Sequence, residues 1–150
     1  MEFDKNGNLF PYKIHALTFD EFELVFGFNE HRKFLLSILL HFVTELRNII
    51  SDEPEIWIDG SFVTQKMHPR DIDIVIFVNF QYFKSKETLL TILKERQEFV
   101  DLYYVKVFPE DHPDNQLTQL DKLDWLHFFT TDRKNKRKGF IKLISDYGNL

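Results

Sequence analysis

Cysteine is absent from the 150-residue chain. That excludes disulfides, thiol nucleophiles and thiolate zinc sites together, and it agrees with a reducing cytosol. Glycine and proline number five each, and there is no Pro/Gly/Ser-rich linker, internal repeat or low-complexity tract. The chain therefore reads as one domain over residues 1–150. Long hydrophobic runs are missing too. "FLLSILLHFV" is apolar for ten residues and has His41 inside it, too short to span a bilayer. The start, "MEFDKNGNLFPYK", carries acids and lacks the apolar core of a signal peptide. The expected compartment is the cytoplasm, with no membrane association. Alanine occurs once against seventeen phenylalanines, a bias of composition rather than a functional signal.

What is present belongs to a folded globular protein: 43% apolar and 29% charged residues. The net charge of −5 is uneven. Residues 133–150 hold six Lys/Arg against one acid, a local balance of +5 that leaves −10 on the rest. An acidic body with a basic end points to one local anion-binding patch rather than a general nucleic-acid coat.

Thr18, followed three residues later by Glu21, forms a capping box for a short helix that stops at Gly27. Asn29 caps a longer helix whose apolar positions Phe34, Leu35, Ile38, Leu39, Phe42, Val43, Leu46, Ile49 and Ile50 keep the 3.6-residue period. "EIWID" predicts a strand ended by Gly60. "DIDIVIFV", apolar on both faces, predicts a central covered strand. "SKETLLTILKER" predicts a helix and "FVDLYYVKV" another strand. Pro109 and Pro113 bracket an acidic loop before the helical spacing of "NQLTQLDKLDWLHFF". "FTTDRKNKRKGFIKLI" fits a hairpin with a basic turn, or a loop and short helix. The expected order is ααββαβα plus that last element: an α/β (α+β) fold with a small mixed sheet packed against helices.

Chemistry concentrates in "DGSFVTQKMHPRDIDIVIFV". Asp71 and Asp73 alternate along a strand and so share a face. Two close carboxylates beside an apolar run repel each other unless a cation joins them, and hard oxygen donors suit magnesium or manganese. Gly60 lets backbone amides approach a phosphate, and Ser61 adds a hydroxyl. Asp101, in "VDLYY", is a third acid beside apolar neighbours. Three such aspartates from neighbouring strands could hold two metals that activate a hydroxyl and neutralise a leaving pyrophosphate. The plainer reading makes one aspartate of the pair a turn cap and pairs the other with Arg70 or Lys66. Asp121 and Asp124 read as solvated helix face, while His41, His127, Trp125, Phe128 and Phe129 read as packed residues. Lys66 and Arg70 either touch triphosphate or solubilise their loop. The run Arg133, Lys134, Lys136, Arg137, Lys138 is either a solvated turn or a polyanion grip.

Gly60-Ser61, nine intervening residues, then Asp71-Ile72-Asp73 resembles the signature of the DNA polymerase β-like nucleotidyltransferase superfamily. The resemblance covers about residues 55–107. It implies a palm-like core, here with two helices at its N-terminal side, in which Asp71 and Asp73 bind metal. Asp101 completes the triad, and Gly60 and Ser61 hold the incoming triphosphate, with Lys66 as a further nucleotide contact. The flanks, "GNLFPYKIHALTFDEFELVFG" and "WLHFFTTDRKNKRKGFIKL", resemble a small prokaryotic family sharing this core. Stand-alone members of the superfamily are found in toxin–antitoxin and phage-defence settings, where some transfer AMP to a partner protein and others add nucleotides to RNA. The implied function is metal-dependent transfer of an NMP from an NTP, such as ATP, to a hydroxyl of a protein or RNA acceptor. The alternative is a catalytically inactive nucleotidyltransferase-like binding module, an antitoxin-type protein with a partner toxin. The loop "FVTQKMHPR" departs from the arginine-rich loop of better-known minimal members, and little chain follows the third acid. Base, acceptor and oligomeric state are thus left open by the sequence.

Overall fold

The computed structural model describes residues 1–144. A five-stranded mixed sheet carries the architecture, with helices on both faces. In chain order the elements are β1 (Glu2–Phe3), β2 (Leu9–Phe10), β3 (Ile14–Thr18), α1 (Phe19–Phe26), α2 (Glu30–Ile49), β4 (Glu55–Asp59), β5 (Ile72–Asn79), α3 (Phe80–Glu95), β6 (Val100–Val107), α4 (Asn115–Phe129) and β7 (Phe140–Ile144). The sheet order is β3-β7-β4-β5-β6, while β1 and β2 pair separately. Among these described residues no helix is long and apolar enough to cross a membrane.

The local signals act as expected at the helix starts. Thr18 accepts from the Glu21 amide at 3.2 Å, and Glu21 accepts from the Thr18 amide at 3.0 Å, closing the capping box. Asn29 accepts from the Arg32 amide at 2.8 Å and starts α2. Its buried stripe is Arg32, Leu35, Leu36, Leu39, Phe42, Val43 and Leu46. Phe34, expected on that face, is exposed instead.

Strand alternation divides the interior in two. Ile72, Ile74, Ile76 and Val78 of β5, with Ile56, Ile58, Leu102 and Ile141, meet α1, α2 and α3 in the larger core. Trp57, Val75, Phe77, Val105 and Phe140 point the other way, onto Phe129 of α4. Because both faces are covered, β5 is the continuous apolar run that its sequence predicts.

Four strands depart from the expected order. Residues 1–18 contribute three strands rather than a lead-in to helices, so α1 and α2 are not the first elements. β7 is not the outer arm of a terminal hairpin. It enters between β3 and β4, parallel to the first and antiparallel to the second. His41 and His127, expected to pack, are exposed, as is Phe128. On α4 it is Phe129, one residue later, that reaches the core.

Candidate metal and nucleotide site

β4 ends at Gly60, whose φ of +79° belongs to glycine. A Cβ built there would lie 2.1 Å from Asp73 Oδ2. The space beside Gly60 is therefore already filled by the Asp73 carboxylate, so any side chain there would be strained by its φ and would have to displace that carboxylate. Ser61–Val63 follow as a single 3₁₀ turn, tied by Val63 N–H to the Gly60 carbonyl at 3.1 Å and by the Thr64 hydroxyl to the Ser61 carbonyl at 2.6 Å.

The sheet register then assembles the acids. Asp73 on β5 stands directly opposite Asp59 on β4 and, on its other side, opposite Asp101 on β6. Three carboxylates thus form one row across three adjacent strands, on the face that also carries Trp57, Val75 and Tyr103. Asp71 lies immediately before β5, half-buried like Asp73, whereas Asp101 is exposed. The fold therefore brings together Gly60, Ser61, Asp71, Asp73 and Asp101, the residues that the sequence singles out. Lys66 is exposed in the following loop. Among the described residues neither Lys66 nor Arg70 forms an ion pair with Asp71 or Asp73.

The buried Asp59–Lys138 pair and Arg32 escape a reading of the sequence alone. Asp59 is only 2% exposed and pairs with Lys138, itself 7% exposed, at 2.9 Å. Its Oδ1 has no hydrogen-bond partner. Lys138 is the last of the basic run, delivered to the row because β7 lies beside β4. The rest of the run forms a tight turn: Asp132 Oδ1 accepts from the Lys134 and Lys136 amides, both at 2.8 Å, and Asn135 takes φ 59°. Asn8 fastens the turn to the β1–β2 hairpin through Asp132 Oδ2 at 2.9 Å.

The second is Arg32, which is fully buried. Its guanidinium donates to four carbonyls: Phe26 at 3.1 Å, Phe62 at 2.8 Å, Thr64 at 2.8 Å, and Lys66 at 2.9 and 2.7 Å from two nitrogens. The rings of Phe28 and Phe62 lie 4.2 and 4.7 Å from it. Burial pulls it down to about 10, which leaves it charged at neutral pH. Nearby, Asn29 donates to the Met67 carbonyl at 2.7 Å, and the His31 ring nitrogen donates to the Pro69 carbonyl at 2.5 Å. The first turn of α2 thereby holds the whole loop that leaves the Gly-Ser turn. Arg32 keeps phase with Leu35, Leu36 and Leu39, which is the signal that marks it as inward-facing.

Electrostatically the row is strained. Burial, then the Asp71 and Asp101 carboxylates, push Asp73 up to about 6, against Lys138 and Arg133. Burial pushes Asp59 up to about 7, against Lys138. Both values exceed the unfolded value of 3.8, so the folded chain holds extra protons between about pH 4 and 7. Stability should therefore fall as pH rises through that window. Thermal unfolding of the metal-free protein at pH 5 and pH 8 checks this, with the higher midpoint expected at pH 5. Asp59→Asn should flatten the trend, and a trend of equal size in that variant would remove Asp59 from the account.

Among the described residues no three His, Cys, Asp or Glu side chains converge as a ready set for one ion. Magnesium, however, is held by one or two carboxylates together with substrate phosphates rather than by an all-protein cage. The donors fit that pattern. They are hard oxygens at and beside adjacent strands, mutually repelling, with Asp73 set over the bare Cα of Gly60. Asp71 and Asp73 are the residues that would hold such a cation, with Asp101 beside them.

A family model described as "Family of unknown function (DUF6932)" matches residues 1–144. No curated protein and no solved structure matches the chain.

Proposed function

We propose that this chain, which belongs to the DUF6932 family, is a metal-dependent nucleotidyltransferase that moves an NMP from an NTP to a hydroxyl of a protein or RNA acceptor. One observation carries the reading. The register sets Asp73 directly against Asp101, and Gly60 closes against Asp73, so the Gly60–Ser61 turn, the Asp71/Asp73 pair and Asp101 lie together at one end of the sheet.

In this reading the Gly60–Ser61 turn holds the β- and γ-phosphates through backbone amides and the Ser61 hydroxyl. Arg32 holds the loop behind that turn, so the phosphates meet a fixed backbone. The acceptor hydroxyl oxygen attacks the α-phosphorus in line. Its proton passes to Asp101, the bond from the α-phosphorus to the bridging oxygen breaks, and pyrophosphate leaves with that electron pair. A divalent cation bound at Asp71 and Asp73 supplies Lewis-acid stabilisation of the phosphate charge. No covalent enzyme intermediate is needed; positioning and electrostatics carry the acceleration.

Magnesium or manganese with a triphosphate should raise the melting temperature, because a ligand that binds only the native state stabilises it. Asp71→Asn combined with Asp73→Asn should remove most of that gain and leave the fold intact. An unchanged gain in the double variant would overturn the metal assignment. Incubation with each labelled NTP, magnesium and candidate acceptors then reads transfer directly. Triphosphate binding without transfer to any acceptor would replace the enzyme by a binding module.

A further inference from the structure

The second face of the sheet is incompletely covered where it approaches the acids. α4 anchors there by Phe129, 2% exposed, yet its neighbour Phe128 is 66% exposed and Tyr103 on β6 is 47% exposed. Half-buried Trp125 joins them, its ring centroid 5.3 Å from Tyr103 and 5.7 Å from Phe128. The result is a run of three aromatic rings, Tyr103 and Phe128 exposed and Trp125 half-buried between them. Tyr103 lies two residues along β6 from Asp101 on the same face, so the run begins about 7 Å from the third acid. Lys94 Nζ stands 5.0 Å from the centre of the Tyr103 ring.

Directly after α4 comes the basic turn, with Arg133, Lys134, Lys136 and Arg137 all exposed. Its place is fixed by Asp132, Asn8 and the Thr131–Arg137 bridge, and both Arg133 and Lys138 act electrostatically on Asp73. The turn is therefore a preformed cationic rim beside the acid row. Rings and cations in sequence are what a single-stranded polynucleotide requires: flat surfaces for unstacked bases and positive charge for the phosphates between them.

We infer that the Tyr103–Trp125–Phe128 strip and the Arg133–Arg137 turn bind a single-stranded polynucleotide, whose terminal hydroxyl is the acceptor at Asp101. The acceptor assignment rests on the nucleotidyltransferase reading; the binding surface does not. Asp121 and Asp124, exposed on α4, repel a phosphate backbone along the helix. The bases lie over the rings and the phosphates follow the turn. A duplex keeps its bases stacked inside and cannot use the strip.

The test is fluorescence anisotropy of the full chain with a labelled single-stranded oligonucleotide of about 12 residues, as RNA and as DNA, each with its duplex. Both single strands should bind and outcompete their duplexes, and an RNA preference would mark a 2′-hydroxyl contact. Tyr103→Ala with Phe128→Ala should weaken binding roughly tenfold or more at an unchanged salt slope. Lys134→Ala, Lys136→Ala and Arg137→Ala together should weaken it and lower the salt slope by about 2. Wild-type affinity in the aromatic variant, or equal binding of duplex, would overturn the proposal. The thermal gain from magnesium and triphosphate is measured alongside. A gain without any polynucleotide binding rejects this surface alone, as would binding to a protein acceptor only. Polynucleotide binding without a gain rejects the enzymatic reading and leaves the surface standing.

Discussion

Arg32→Met should lower the stability of the protein by about 3–5 kcal/mol, a large part of the roughly 5–15 kcal/mol that a domain usually has. The methionine keeps much of the stem's volume but donates nothing. Four carbonyls, on Phe26, Phe62, Thr64 and Lys66, then lose their partner. Those that stay buried cost about 1–3 kcal/mol each, and those near the loop surface recover water. Arg32→Lys should fall between, because one ammonium cannot span acceptors that the planar guanidinium reaches together. Urea unfolding of the three proteins measures the difference. A loss under about 1 kcal/mol for Arg32→Met would show that the loop supports itself and that the guanidinium is incidental.

The same residue shows where the sequence is legible and where it is not. Capping at Thr18 and Asn29, the period of α2, the short strand signal of "EIWID" before Gly60, and the β-branched run of "DIDIVIFV", apolar on both faces, are local patterns, and each places its element as expected. Arg32 sits in the polar first turn "EHRK", where its charge outweighs its phase in the stripe. The pairing of β3 with β7 joins residues 14–18 to residues 140–144. No short window contains both partners, and two-residue strands such as β1 and β2 have too few positions to show a period. Asp59 reads in sequence as the end of the strand "EIWID" and not as a site residue, because only the β4–β5 register sets it against Asp73. Lys138 belongs to a run whose other members are exposed; burial of that one lysine follows from the entry of β7 between β3 and β4. The row of acids is thus legible through the Asp-x-Asp pair and Asp101, while Asp59 and its buried counter-ion come from long-range topology.

Under the proposed nucleotidyltransferase function, Asp101→Asn should reduce turnover by about 10²–10⁴-fold, the range that a positioned base contributes, and leave triphosphate binding almost unchanged. Asp101 is the member of the row that solvent reaches; Asp59 is sealed under Lys138, and Asp73 is half-buried against Gly60. An acceptor hydroxyl reaches the open carboxylate most readily, the half-buried Asp73 less so, and the sealed Asp59 not at all. The side-chain amide introduced by this substitution keeps the shape of the carboxylate but no longer takes the proton of the attacking hydroxyl. Because that proton moves as the new bond forms, the loss belongs to the transition state: kcat and kcat/KM should fall together, with the thermal gain from magnesium and triphosphate retained. Lost triphosphate binding in Asp101→Asn would make this residue a ground-state ligand instead. Turnover close to that of the wild type would place the base elsewhere, with Asp73 the next carboxylate in the row to test.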